Sequence, residues 1–127
     1  MFTNLKIAIV TCVLVLAIGL PAFAHHGNAE FDLTQSLTLK ATVTDFVWSN
    51  PHSEIFFDVK ETDGKLTRWS CEAVQPALLH RAGWTKDSLK PGDQVTIVLH
   101  PAKNGKPIGY LQKVVLANGD ELRLGSL

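Results

Sequence analysis

The sequence predicts an all-β protein, a small antiparallel barrel of the OB type with five to six strands and one short helix between strands 3 and 4. Apolar and polar residues alternate with a period of two in several short segments, turn-forming pairs separate them, and a single segment has helical character. Three strands, a helix and then further strands is the order of an OB barrel. An immunoglobulin-like sandwich is the alternative, but it seldom has a helix there and needs about seven strands.

The first two strands are predicted by alternation. Apolar and polar residues alternate from Leu37 to Val43, and the pattern breaks at Asp45–Trp48, where a bulge or bend would switch the buried face. Pro51 ends this segment because proline has no N–H to donate to a ladder. The second strand is marked by the alternating apolar residues Ile55, Phe57 and Val59.

The only predicted helix follows the third strand. Asp63-Gly64 is a tight-turn signal that leads into a strand around Thr67–Ala73. Pro76 suits a first helical position, and Gly83 can adopt the left-handed conformation after the last turn. Trp84 is then expected to fold back on the helix, as the residue after such a cap often does.

The C-terminal part predicts two more strands and a short terminal one. A turn at Pro91–Asp93 leads into the fourth strand, whose inward residues are Val95, Ile97 and Leu99. The fifth strand spans Tyr110–Leu116, and Asn118-Gly119 turns the chain into a terminal strand at Glu121–Leu124. An unpaired edge there would support a role as a subunit of a larger exported assembly.

Residues 1–24 are predicted to be a secretory signal peptide. Lys6 precedes the apolar run Ile7–Leu20, and the small-x-small segment Ala22-Phe23-Ala24 follows it. The run has 14 residues, fewer than the roughly 20 that a membrane-spanning helix needs, so no retained membrane anchor is predicted. Cleavage between Ala24 and His25 would place the mature protein in the periplasm or outside the cell.

The mature chain is predicted to consist of a polar lead-in, residues 25–35, and a barrel domain, residues 36–127. Phe31 is the expected docking point of the lead-in. The whole chain has 12 basic and 12 acidic residues, and the leader contributes only Lys6, so the mature net charge is about −1. Nucleic-acid binding is not predicted, because duplex-binding domains are usually strongly basic. Cys71 is the single cysteine of the mature chain and is predicted to be buried.

The chain shows no catalytic motif. A nucleophile elbow, a phosphate-binding loop, a Cys-x-x-Cys pair and a His-Glu-x-x-His sequence are all missing. We therefore predict that the protein is not an enzyme.

Four sequence pieces resemble a family of small exported bacterial proteins of unknown function. They are His25-His26 followed by Phe31-Asp32, Trp48-Ser49-Asn50-Pro51-His52, Arg81-Ala82-Gly83-Trp84 and Leu89-Lys90-Pro91-Gly92-Asp93. Members usually have glycine at the position of Ala41 and often serine at that of Gly27. The resemblance implies an exported β-rich domain and supplies no activity.

The predicted mature N-terminus suggests a copper site. His25 would offer its α-amine and its ring Nδ1 to one metal ion, and an amine with a pKa of roughly 8 readily yields its proton to a metal. A second imidazole would complete a three-nitrogen set that suits Cu(II). His52 is the best candidate, His26 is a further possible ligand, and Asp32 or Glu72 are candidate carboxylate neighbours.

The alternative function is a metal-free periplasmic module that binds a protein or a small ligand. In an OB barrel the first and fourth connections, here residues 48–53 and 102–109, flank the usual ligand face. The candidate residues on this loop face are Trp48, Asn50 and His100.

Overall fold

The computed structural model describes residues 30–124, which contain six strands and one short helix. The predicted leader, His25 and His26 lie outside the described residues. The elements are β1 (Leu37–Val47), β2 (Glu54–Lys60), β3 (Leu66–Glu72), α1 (Pro76–Arg81), β4 (Gln94–Pro101), β5 (Ile108–Val115) and β6 (Glu121–Arg123). The predicted all-β fold, with its helix between strands 3 and 4, is confirmed. In this part of the chain no helix is long and apolar enough to cross a membrane.

Five of the strands close into a barrel. The order is β3-β2-β1-β4-β5-β6, and a parallel pairing between β3 and β5, with Ser70 opposite Ile108, closes the circle. The other pairings are antiparallel. The barrel is therefore mixed, whereas the sequence predicted an antiparallel barrel. Four successive antiparallel pairings link β3 to β5 through β2, β1 and β4. β3 and β5 therefore run in the same direction where they close the barrel. β6 pairs with the later part of β5, beyond the point where β3 leaves it.

The barrel interior is filled by the inward residues of the alternating pattern. Phe57, Ile97 and Leu99 are fully buried, whereas their chain neighbours face outward and are at least partly exposed. In β1 the register shifts between Val43 and Asp45, so the predicted bulge is confirmed. The strand continues beyond it to Val47, because the bulge absorbs the change of face without ending the ladder.

The helix closes one end of the barrel through Trp84. Gly83 has a positive φ of 92°, and the Trp84 N–H donates to the Leu79 carbonyl at 3.0 Å, as the cap predicts. The Trp84 side chain is fully buried, and its Nε1–H donates to the Arg123 carbonyl at 2.8 Å. The helix cap and the terminal strand are therefore held by one indole.

Candidate functional site

The loop between β1 and β2, residues 48–53, starts with a packed aromatic residue. The Trp48 ring is half-buried and meets the Phe46 ring edge-on, with 5.8 Å between the ring centroids. Phe46 in turn lies 6.0 Å from the buried Trp84 ring. Trp48, which the sequence placed on a ligand face, therefore extends the core over one end of the barrel.

The same loop presents His52 to solvent. The peptide bond before Pro51 is cis, and the Ser49 hydroxyl donates to the His52 carbonyl at 3.5 Å. Ser53 is fully buried, and its backbone N–H and carbonyl pair with the chain just after β3. His52 is thus held at a defined backbone position, while its ring is exposed and has no hydrogen-bond partner among residues 30–124. Asn50 is exposed beside it.

The described part of the lead-in is fastened to the end of β4. The Asp32 N–H donates to the Pro101 carbonyl at 2.8 Å, and the Lys103 N–H donates to the Glu30 carbonyl at 3.0 Å. Between these bonds, Phe31 forms an antiparallel bridge with Ala102. Residues 30–32 of the lead-in are therefore paired with the barrel.

Phe31 anchors the lead-in on the outer surface of the barrel. Its side chain is only 3% exposed, and its ring lies 5.9 Å from the Tyr110 ring. Phe31 and Ala102 are buried but separate from the main core cluster, because Tyr110 points outward between the buried, inward-facing Gly109 and Leu111. The sequence correctly predicted Phe31 as the docking residue of the lead-in.

His100, another predicted ligand-face residue, holds the lead-in to the barrel. Its Nδ1 lies 2.6 Å from the Gln35 carbonyl, which can only accept, so this nitrogen carries the proton and donates. The Gln112 amide nitrogen lies 2.9 Å from His100 Nε2 and also donates to the Ser36 hydroxyl at 2.7 Å. Both ring nitrogens are therefore engaged in fastening residues 35–36.

A row of outward side chains connects the lead-in to His52. Tyr110 of β5 is paired with Glu72 of β3, and Glu72 lies directly opposite Glu54 of β2. Adjacent strands are about 4.8 Å apart, so this row spans about 10 Å from Tyr110 to Glu54. Glu54 follows His52 by two residues. Sequence analysis missed Glu54 and Tyr110, although alternation in their strands already placed both on the outer face.

Comparison with known proteins places the chain in a family. Residues 12–112 match the model of a family of unknown function, DUF6152. The chain belongs to this family. No curated protein and no solved structure matches it. The predicted resemblance to a family of unknown function is confirmed at this level.

In this site of the DUF6152 protein, burial and the charges of Glu54 and Glu72 raise the pKa of two neighbouring groups. Burial raises the pKa of the Tyr110 hydroxyl, and the charge of Glu72 raises it further. Beneath the row, burial strongly raises the pKa of the Cys71 thiol, and the charge of Glu54 adds to the effect. Cys71 is fully buried, as predicted, and its protonated thiol is a poor metal ligand or nucleophile.

Asp32, one of the two predicted carboxylate neighbours of the metal, is used by a local turn. Its Oδ1 accepts hydrogen bonds from the Thr34 hydroxyl at 2.6 Å and from the Thr34 N–H at 3.1 Å. These two bonds lower the pKa of Asp32, and the charges of Lys103 and His100 lower it further. Of the two carboxylates, Glu72 lies in the row that leads toward His52.

Residues 30–124 contain no group of three or more His, Cys, Asp or Glu side chains arranged to hold a metal ion. The predicted ligands His25 and His26 lie outside the described residues, so within this range the predicted set is represented by His52 alone. Of the three histidines in this range, His100 is occupied by the lead-in, whereas His52 and His80 are exposed, and His52 is the one that lies beside the row of outward side chains.

Proposed function

We propose that this protein is an exported binding protein of the periplasm or cell exterior that holds a copper ion through the mature N-terminus at His25 and the imidazole of His52. Signal cleavage after Ala24 would create the free amine on which this site depends. His26 is a further possible ligand, and no catalytic step is assigned to the protein.

The docked lead-in is the observation that carries the proposal. Residues 25–29 precede Glu30, whose carbonyl accepts from the Lys103 N–H, and five extended residues span at most about 17 Å. The anchor Phe31 lies on Tyr110, and the row from Tyr110 to Glu54 measures about 10 Å. His52 is two residues beyond Glu54. The new N-terminus would therefore lie within about 17 Å of Glu30, and we expect its amine and ring to meet the His52 imidazole along this row.

The charge of the surface between these two points favours a cation. Glu54 and Glu72 lie opposite each other on the outer face, so two carboxylates share the surface near His52. Their charges would attract a divalent cation held at His52. The amine, the His25 ring and the His52 ring would give the nitrogen-rich set that Cu(II) prefers.

The decisive experiment compares two N-termini. Protein exported and processed to begin at His25 is titrated with Cu(II) and followed by electron paramagnetic resonance, beside a version with one extra residue before His25. We expect a single nitrogen-rich site that the extension abolishes. N-terminal sequencing of the exported protein tests cleavage and export separately.

A pair of variants tests the internal ligand. His52→Ala should weaken Cu(II) binding roughly tenfold or more, a loss of at least about 1.4 kcal/mol. His80→Ala, which removes an exposed histidine from α1, is the matched control and should bind as the parent does. Equal losses in both variants, or identical weak binding with and without the extra residue, would reject the copper site. The metal-free module that binds a ligand around Trp48 and Asn50 would then be the better description.

A further inference from the structure

A groove crosses the outer face of the barrel at the opposite end of β2 from His52. Strand pairing places Val115 of β5 beside Thr96 of β4, and Thr96 beside Lys40 of β1. It also places Lys60 of β2 beside Leu66 of β3. Ala41 pairs with Val59, so one further step places Lys40 opposite Lys60. These five side chains form one row across five strands, and we call the surface along it the lysine groove. Its volume is about 520 Å³.

The centre of the lysine groove carries two positive charges that the protein does not neutralise. Neither Lys40 nor Lys60 forms an ion pair among residues 30–124. The carboxylate nearest to them along β2, Asp58, is held by Arg68, whose Nε lies 2.5 Å from its Oδ1. Like charges directly opposite each other across two strands are destabilising, so the lysine pair has no role in holding the sheet together.

Apolar side chains lie at both ends of the lysine groove. Leu66 on one side is 66% exposed, which is high for a leucine, and Leu116 and Ala117 border the other side. Thr42 and Thr96, whose side chains face outward, form part of the lining between these apolar ends. A volume of about 520 Å³ lies within the range of small-ligand sites, roughly 300–1,000 Å³.

We propose that the lysine groove binds a free organic carboxylate with an apolar body, such as a medium-chain fatty acid. The carboxylate would lie between Lys40 and Lys60, where its charge removes their repulsion, and the hydroxyls of Thr42 and Thr96 line the same surface. The apolar body would cover Leu66 or Leu116, which removes exposed apolar surface from water. Charge complementarity selects an anion, and the apolar borders select one with a hydrocarbon part.

This site is separate from the copper site and does not depend on it. Lys60 lies six residues from Glu54 along β2, a distance of about 20 Å at the rise of an extended strand. The two surfaces also attract ligands of opposite charge. Loss of copper binding would therefore leave the proposal for the lysine groove unchanged.

The test uses octanoate as the probe and two-dimensional NMR of the mature protein as the readout. We expect saturable shifts of the Lys40, Thr42, Thr96 and Leu66 amides with octanoate, and at least tenfold weaker binding of octan-1-ol and of acetate. Octan-1-ol keeps the hydrocarbon body without the charge, and acetate keeps the charge without the body. Equal binding of either one would reject the proposed ligand class, and the absence of saturable shifts would reject the site.

The variants separate a specific site from general attraction of anions. Lys40→Gln combined with Lys60→Gln should weaken octanoate binding at least tenfold with the fold retained, as the NMR spectrum itself reports. The control is Lys86→Gln combined with Lys103→Gln, which removes the same charge from exposed positions elsewhere. Octanoate binding that is equally weakened in both double variants, or unchanged in the first, would overturn the proposal.

Discussion

The two ends of β2 carry opposite charges on the same outer face of the barrel. At one end Glu54 lies opposite Glu72, and at the other end Lys60 is placed opposite Lys40. Between them, Asp58 and Arg68 form a complementary cross-strand ion pair. The near-zero net charge of the chain therefore conceals a surface with a negative region beside His52 and a positive region about 20 Å away.

The inner face of the same strand shows no such division. Ile55, Phe57 and Val59 are all buried in one continuous core. Packing requires apolar residues there, whereas nothing in the packing requires like charges to face each other outside. The inner face of β2 therefore explains the fold, and its outer face carries the charges on which both proposed sites depend.

We expect the largest effect from a substitution on the inner face of β2, because the core beneath it supports both ends of the strand. Phe57→Ala should lower the free energy of unfolding by about 3–5 kcal/mol, a large part of a typical domain total of about 5–15 kcal/mol. Urea denaturation followed by circular dichroism measures this loss. Phe56→Ala, the outward neighbour on the same strand, is the control and should cost much less. Equal losses would contradict the assignment of the two faces.

We expect Phe31→Ala to have an intermediate effect. The effect should be confined to the negative end of β2, where Glu54 lies opposite Glu72. Loss of this buried ring should release residues 30–36 and reduce stability by about 1.5–3 kcal/mol, since the ring leaves a nearly closed site. Hydrogen exchange should show faster exchange of the Asp32 and Lys103 amides, and Cu(II) affinity should fall while octanoate binding stays the same. Leu33→Ala, at a residue 51% exposed in the same segment, is the control. Unchanged exchange would show that Phe31 does not anchor the lead-in.

The smallest effect concerns the positive end. Lys60→Glu would place opposite charges on β1 and β2 and should raise the free energy of unfolding by about 0.2–1 kcal/mol, while it removes octanoate binding. Thermal unfolding measures the gain, with Lys86→Glu as a control for the change in net charge. A stability loss specific to Lys60→Glu would mean that the two lysines do not repel each other across the strands.

Much of the fold could be predicted because its signals are local. Alternation identified β2 and its buried residues, the broken pattern near Asp45 identified the bulge, and Gly83 with Trp84 identified the helix cap. Each of these signals depends on residues a few positions apart. Near the candidate site, the docking of Phe31 was predicted from sequence and is confirmed, whereas the role of His52 as a ligand stays a prediction.

The rest depended on contacts between distant segments. His100 and Gln112 are far from Gln35 and Ser36 in the chain, so no local pattern predicts that this histidine fastens the lead-in. Trp48, which stays a candidate for the ligand face, also meets the Phe46 ring edge-on, a contact that no local pattern predicts.

By itself, the sequence determined the inner face of each strand, the turns and the helix cap, since steric preference and the burial of apolar residues act locally. Only the tertiary structure decided which outward residues meet. Strand pairing placed Glu54 beside Glu72, the register of β1 and β2 continued by one step brings Lys40 opposite Lys60, and a ring contact placed Phe31 on Tyr110. These contacts depend on strand register and barrel closure. Outward side chains do not specify either one, because they pack too loosely to constrain the register.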